Sequence, residues 1–274
     1  MSQASKTVVI TGASSGIGKA TAKFFASRGW NVIAGMRQPQ AEQELIEDGR
    51  LKRMRIDVQD AASIRVAVAE AVAHFGTIDV WVNNAGYGAF GPLEAGSRAQ
   101  IQRQFDVNVF GLIECVQAIA PHFRANRSGV LINVSSAGGL ATAPGYSVYN
   151  ASKFAVEGLS EGLWYEMKAF GIKVKLIEPG VIKTDFGGRS MDVWDMSNLP
   201  EYASLMQKIM AARERLTRNP GTPEHVASMI FKAATDPSDR LRYLVGADAK
   251  LLWGVRRWLG YRTQMQFLRR AFRL

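Results

Sequence analysis

The sequence predicts one α/β domain: a doubly wound fold around a mostly parallel, seven-stranded sheet. Three observations carry that reading. Short apolar runs alternate with helical stretches of ten or more residues, the rhythm of βαβ crossovers. No Pro- or Ser-rich linker divides the 274 residues, a length within reach of a single α/β domain. A glycine cluster, Gly12, Gly16 and Gly18, stands where the first strand meets the first helix. Open α/β sheets bind ligands at that end of their strands.

Each element follows from local pattern. Residues 7–11 read as a buried strand. Residues 19–27 read as a helix whose apolar positions are Ala20, Phe24 and Phe25. The second strand is 31–36, then a helical stretch is expected at 40–47 and a third strand, with interspersed charges, at 51–56. Residues 61–74 place Ile64, Val68 and Val72 on one helix face. Strands follow at 78–82, 129–134, 172–177 and 241–245, with helical stretches at 98–123, in one segment or more, and at 149–169. Residues 186–220 break the rhythm and are rich in Met and aromatic side chains, among them Met191, Trp194, Met196, Tyr202, Met206 and Met210. A long segment of this kind after a sheet strand is expected to cover a ligand cleft. The expected organisation is therefore one main domain over 1–249, with a lid at 186–220, and a basic amphipathic tail at 250–274.

Composition removes several function classes. With 47% hydrophobic and 21% charged residues the chain is neither disordered nor collagen-like. One cysteine, Cys115, excludes an internal disulfide, and the widely spaced His74, His122 and His225 make no HExxH pattern, so no metal site is expected. The amino terminus enters a strand without the apolar stretch of an export signal, and no run approaches 18 apolar residues. A cytoplasmic location is expected. The net charge is +10, and from Arg240 onward nine Lys and Arg face one acid, Asp248. That tail has no zinc-finger spacing, GxxG loop or reader helix, so nucleic-acid recognition is not expected. Leu251, Leu252, Val255, Trp258 and Leu259, then Met265, Leu268 and Phe272, recur near helical spacing. The tail is expected to pack on the domain or on a second subunit, with contact to an anionic membrane surface as the alternative.

Two motifs carry chemistry. TGASSGIG at 11–18 has glycines that permit a tight turn and close approach of a phosphate, which the unpaired N–H groups of a helix start then bind. Gly12, Ser14, Ser15, Gly16, Ile17 and Gly18 are the candidates. An acid at the end of the second strand would accept from the ribose hydroxyls of NAD. This chain has Met36 followed by Arg37. The barrier to a 2′-phosphate is absent and Arg37 offers it a multi-donor partner, which favours NADP(H) over NAD(H). The second motif is Tyr149 and Lys153, four apart on one helix face. A tyrosine with its reference pKa of about 10 is a poor acid–base group at neutral pH. A neighbouring ammonium would stabilise the phenolate and lower that value, so the pair can exchange a proton with a carbonyl or alcohol oxygen. Ser136, at the end of the fifth strand and thirteen residues before Tyr149, would hold that oxygen; Ser135 is the competing choice.

Together TGASSGIG at 11–18, NNAG at 83–86, Ser136, YNASK at 149–153 and PG at 179–180 stand in an order and spacing that resemble the short-chain dehydrogenase/reductase family. The segment NAGYGAFGPL at 84–93 resembles its retinol and 17β-hydroxysteroid dehydrogenase branch. The resemblance implies a Rossmann-type fold and reversible transfer of the B-face hydride between nicotinamide and a carbonyl carbon. It implies further roles as well. Asp57 and Val58 would contact the adenine, while Asn83, Ala85 and Gly86 would border the cofactor. Asn108 would be a fourth catalytic member, holding a water that links Lys153 to solvent. Lys153 would also bond the nicotinamide ribose, and Pro179, Gly180, Val181 and Thr184 would flank the nicotinamide. The implied substrate is a hydrophobic carbonyl or alcohol, with Tyr87, Phe90 and Tyr146 lining an apolar pocket or belonging to the core. The implied assembly is a homodimer, with a tetramer as the alternative. An NAD(H)-dependent alcohol or hydroxysteroid dehydrogenase and a non-catalytic dinucleotide sensor are the competing readings.

Overall fold

Seven strands lie side by side and all parallel: β1 (Thr7–Ile10), β2 (Asn31–Met36), β3 (Leu51–Arg55), β4 (Val80–Asn83), β6 (Gly129–Val134), β7 (Ile172–Pro179) and β9 (Arg242–Val245). The computed structural model describes residues 5–184 and 190–274. The strand order is β3-β2-β1-β4-β6-β7-β9. From β1 the chain winds outward through β2 and β3, then crosses back to β4 and winds the other way. The ends of β1 and β4 therefore diverge, and that switch point is where a doubly wound sheet leaves a crevice.

Successive residues of a strand point to opposite faces, so β1 feeds two cores. Val8 and Ile10 pack with Phe25, Trp30, Val226 and Ile230 under α1 (Gly16–Ser27) and α7 (Pro223–Thr235). Phe25 meets Trp30 and Phe231 edge-on, with ring centroids 5.1 and 5.0 Å away. Val9 turns the other way, toward α2 (Ala61–Phe75), α4 (Gly111–Asn126) and α5 (Ser147–Lys168), among Ile64, Leu112, Phe123 and Val156. Each fully buried aliphatic side chain of this kind contributes about 1.5–3 kcal/mol of transfer free energy.

Several elements differ from the expected ones. The helical stretch expected at 40–47 is only a 3-10 turn at Pro39–Ala41. Polar side chains there bond to the backbone instead. Glu42 Oε1 accepts from the N–H groups of Glu44 and Leu45, Asp48 Oδ1 from those of Arg50 and Leu51, and Glu47 Oε1 from that of Arg53. Such local bonds compete with a helix. The stretch 98–123 divides into α3 (Arg98–Phe105), capped by the reciprocal Ser97–Gln100 box, a wide π-turn at Asp106–Phe110, and α4. The helix α7, capped by Thr222 with Pro223 in its first turn, adds to the expected elements, and the Thr-Pro pair is a local signal for its start.

The interrupting segment has its own structure, although residues 186–189 lie outside the described ones. β8 (Met191–Val193) pairs with β5 (Gly88–Phe90) in a small parallel sheet, and α6 (Ala203–Leu216) follows. Its Met206, Ile209 and Ala212 pack against Phe90 and against Phe272 of α9 (Gly260–Phe272). The expected start of the tail, at 250, falls inside α8 (Ala247–Gly254).

Candidate active site

The crevice between β1 and β4 is built by close backbone contact. Gly12 and Gly16 hold left-handed φ angles of 67° and 51°. A Cβ on Gly18 would fall 2.3 Å from Gly12 O, and one on Gly12 would fall 2.8 Å from Ala85 Cα. Only glycine fits either place. Thr11 and Asn84 clamp the two strand ends. Thr11 Oγ1 accepts from the N–H groups of Asn84 and Ala85, each at 3.0 Å, and Asn84 Nδ2 donates to Thr11 O at 2.9 Å and to Gly12 O at 3.2 Å. Neither residue was assigned a role from sequence, although both stand inside the quoted motifs. Ser15 is extended at the N-cap of α1 and its side chain makes no cap bond, so the first-turn N–H groups point at the crevice uncapped. Ser14 is half-buried beside it, and Ile17 packs into the core below.

The other cofactor candidates stand at or after the carboxyl ends of the strands, with two qualifications. Pro179 ends β7, and the Gly180 N–H donates to Val245 O at 2.8 Å. Val181 N–H donates to Asp248 Oδ2 at 2.7 Å, and a Cβ on Gly180 would sit 2.0 Å from Asp248 Oδ1. Asp248 thus shapes this loop from 67 residues away, where no local motif could reveal it. The Thr184 methyl would lie 3.4 Å from a Cβ on Gly16, closing the crevice from above. Asp57 follows β3, its carboxylate accepting from Gln59 N–H at 3.1 Å, and Val58 is buried against Gly111. The first qualification is Asn83. Its side chain accepts from Trp81 Nε1 and donates to Asn133 Oδ1, at 2.8 and 2.9 Å, and so faces into the sheet. Only its main chain is left to meet a ligand. The second concerns the end of β2. Met36 is buried in the core and Arg37 is exposed, so no carboxylate stands there.

The four catalytic candidates converge beside this cradle. Ser136 stands two residues past the end of β6 in extended conformation, and its Oγ accepts from Gly138 N–H at 3.0 Å. α5 begins at Ser147, which puts Tyr149 in its first turn and Lys153 one turn on. A Cβ on Gly138 would lie 3.2 Å from Tyr149 Cε1 and 3.4 Å from Ser136 Oγ, so the two side chains meet beside one point, and Ser136 bears on the ionisation of the Tyr149 hydroxyl. Ser135 Oγ is buried and has no hydrogen-bond partner among the described residues, so the geometry favours Ser136 of the two. Lys153 Nζ donates to Val134 O at 3.1 Å and lies 5.9 Å from the Tyr149 ring centre. Asn108 occupies the π-turn. Its Oδ1 accepts from Tyr87 N–H at 3.0 Å, and its Nδ2 donates to Tyr87 O and to Ser152 Oγ, at 3.0 and 3.1 Å. A Cβ on Gly86 would be 3.1 Å from Asn108 Oδ1 and 3.8 Å from Lys153 Nζ, so these three residues meet around one point.

Burial sets the acid–base character. It pushes the Tyr149 hydroxyl up to about 12, with the Ser136 hydrogen bond pulling the other way. It pushes Lys153 down to about 8, opposed by the charge of Glu157. The expected lowering of Tyr149 by the Lys153 ammonium is therefore not met in the protein alone. Lys153 is held by a backbone carbonyl, and desolvation dominates at the Tyr149 hydroxyl. Among the described residues no group of His, Cys, Asp and Glu is placed to hold a metal ion.

An apolar flank adjoins Tyr149. The Tyr146 ring is 6.1 Å from that of Tyr149 and 4.9 Å from that of Phe90. Met196, Met206 and Phe272 extend the cluster. A cleft of about 750 Å³ opens along α6, lined by Met196, Leu199, Met206 and Met210. None of its lining residues is one of the four catalytic candidates, but Arg213 among them lies over the Phe90 and Tyr146 rings, 5.7 and 5.9 Å from their centres. Trp194 is core, buried over Gly91 and Gly96, and Tyr87 packs under Arg103.

A family model described as short chain dehydrogenase matches residues 6–193. The chain is 34% identical over 267 residues to the 3-ketodihydrosphingosine reductase of Bacteroides thetaiotaomicron, covering 97% of each. It is 36% identical over 254 residues to 17-beta-hydroxysteroid dehydrogenase type 1 of Mus musculus, covering 86% of this chain and 72% of that one. A short-chain dehydrogenase structure from Streptomyces avermitilis superposes with a TM-score of 0.85 at 34% identity, covering 99% of this chain and 98% of that one. Two structures at 25% identity hold dinucleotides. They are ElxO with NADP bound (TM-score 0.70, 88% and 96% covered) and a Burkholderia phymatum family member in complex with NAD (TM-score 0.75, 92% and 93% covered).

Proposed function

The chain belongs to the short chain dehydrogenase family of oxidoreductases, and on that footing we propose that it is an NADP(H)-dependent reductase of a hydrophobic ketone or aldehyde, reversible toward the alcohol. The observation that carries this reading is the Tyr149–Ser136 hydroxyl pair, with Lys153 one turn away, beside a glycine cradle that no side chain can enter. The cradle fits a dinucleotide. The uncapped start of α1 and the turn at Gly12–Gly18 would receive its pyrophosphate, Asp57 and Val58 its adenine, and the loop from Pro179 to Thr184, with Asn83, Ala85 and Gly86, its nicotinamide end.

The nicotinamide supplies the hydride when bound. The protein's own groups do the rest. Ser136 Oγ donates to the substrate oxygen and fixes it near Tyr149. Tyr149, still protonated at neutral pH because burial holds its hydroxyl up, gives its proton to that oxygen as negative charge develops there. The Lys153 ammonium, one helical turn below, stabilises the phenolate left behind. Asn108 keeps the main chain of Tyr87 in place and the π-turn open beside Lys153. The substrate lies against Phe90 and Tyr146, with the segment from 190 to 220 as its lid. The two relatives named for a long-chain keto lipid and a steroid support an apolar carbonyl compound. Gly158 and Gly162 present open space on α5, and Phe110, Tyr165 and Phe170 are exposed nearby in sequence. These surfaces support a homodimer through α4 and α5. No helix among the described residues is long and apolar enough to cross a membrane, and the proposed place of work is the cytoplasm.

The preference for NADP(H) rests on Arg37 and on the missing carboxylate after β2. Consumption of NADPH and NADH, followed at 340 nm against long-chain, steroid and aromatic ketones, tests it. NADPH is expected to win in kcat/KM by about ten- to a hundredfold, the worth of a charge-assisted bond to the 2′-phosphate, and Arg37→Asp to erase that margin. Equal use of NADH by the unaltered protein contradicts the assignment. Tight binding of NADPH without turnover on any of these ketones, and of NADP+ without turnover on their alcohols, favours the sensor reading.

A further inference from the structure

The carboxyl-terminal hairpin carries a surface that the proposed chemistry does not use. After Asp248 the chain has seven Lys and Arg and no acid. α8 and α9 are joined by a wide turn at Val255–Leu259 and by Gly260 at φ 81°. The inner side of this hairpin is fixed to the domain. Arg256 Nη1 and Gln264 Nε2 donate to Leu140 O, at 2.6 and 3.4 Å, and Phe272 is buried in the cluster that holds Phe90 and Met206. The bend itself faces outward. Trp258, Leu259 and Tyr261 are 77%, 63% and 61% exposed, and the flanking Arg257 and Arg262 are exposed beside them. Among the described residues no ion pair involves a tail arginine.

We propose that this bend docks the protein on an anionic lipid surface, with Trp258, Leu259 and Tyr261 entering the headgroup boundary and the surrounding arginines meeting lipid phosphates. Trp and Tyr are suited to that boundary because one part of the ring is apolar and another bonds to water. Each Lys or Arg near an anionic leaflet adds attraction that weakens with salt. A second copy is the poorer occupant. A symmetric contact would set this unpaired positive patch against itself. The position of the bend adds a consequence. Leu140, to which the hairpin is pinned, follows the short turn capped by Ser136, and α9 lies on the lid helix α6. Docking therefore brings the mouth of the apolar site close to the lipid, so that a hydrophobic carbonyl compound can enter without crossing water. This consequence rests on the reductase reading; the docking does not, and it is measured without turnover.

Flotation of the full-length protein with phosphatidylcholine vesicles, with and without phosphatidylglycerol, tests the proposal. Co-flotation is expected with the anionic vesicles only, and is expected to be lost in about 1 M NaCl, where screening is nearly complete. Two variants, W258S/L259S and R257E/R262E, are each expected to reduce binding at least about tenfold while thermal unfolding and NADPH binding stay unchanged. Arg65→Glu, on exposed α2 far along the chain, is expected to leave binding intact. Absence of co-flotation, equal loss in Arg65→Glu, or insensitivity to both tail variants overturns the proposal. So does dissociation of an oligomer by W258S/L259S in light scattering, which assigns the bend to a subunit contact.

Discussion

Tyr149 and Lys153 have their ionisation moved in opposite directions by one cause, burial, and at neutral pH both still hold their protons. Tyr149 keeps its proton up to about 12. Lys153, ordinarily near 10.5, keeps its charge only below about 8. The sign for activity follows. The ammonium that steadies the phenolate is present at low pH and is lost as pH rises through about 8, while the donor remains protonated. kcat/KM for carbonyl reduction, which reports groups of the free enzyme, is expected to fall by about tenfold per pH unit above that point. A profile flat to pH 10 would assign the tuning to something other than Lys153. At this scale residue type and spacing put Tyr149, Lys153 and Ser136 forward, and the fold brings the three side by side. The same reading missed Thr11 and Asn84, whose clamp is visible only once two strand ends lie side by side, and it misjudged the sign of the Tyr149 shift. Desolvation depends on what surrounds a group, and a linear pattern does not carry that.

Among the elements, β9, β7 and α5 are tied by a partly buried ionic knot. Arg242 pairs with Glu157 and Glu161 of α5 and with Glu178 of β7. Burial and the neighbouring Glu157 push the Glu178 carboxyl well above the ordinary carboxylate range. Removing the cation leaves two buried carboxyl groups without their partner. Arg242→Met is expected to cost about 3–5 kcal/mol, on the order of a 10 °C fall in Tm, because the two buried carboxyl groups are then left sharing one site without their hydrogen-bonding cation. A loss below about 1 kcal/mol in thermal or denaturant unfolding would mean that the knot is solvated and structurally idle. Most elements were legible because apolar periodicity and glycine placement report directly on burial. The stretch after Pro39 was not. Its composition suits a helix, yet Glu42, Glu47 and Asp48 satisfy backbone N–H groups themselves, a choice decided by Lys19 and Arg53 from neighbouring elements.

For the whole molecule, strand order turns a set of motifs into a site. TGASSGIG and NNAG are more than sixty residues apart in sequence, but β1 and β4 are neighbours, so the two glycine turns face one crevice. The order β3-β2-β1-β4-β6-β7-β9 then sets β6, with Ser136 after it, beside β4, and β7, with Pro179 and Gly180, beyond it. The sequence predicted such a sheet from its alternating rhythm, whereas the contribution of Asp248 and the pinning of the tail to Leu140 depend on the assembled fold. The central claim is that this crevice brings a dinucleotide and a carbonyl compound together for transfer at Tyr149. The most direct test is the fate of deuterium carried at both hydrogen positions of C4 of NADPH during reduction of a hydrophobic ketone. The alcohol is expected to carry the label, and Tyr149→Phe to bind NADPH normally while forming labelled product about a hundredfold or more slowly. Alcohol free of deuterium, or labelled product formed at full rate by Tyr149→Phe, would contradict the claim.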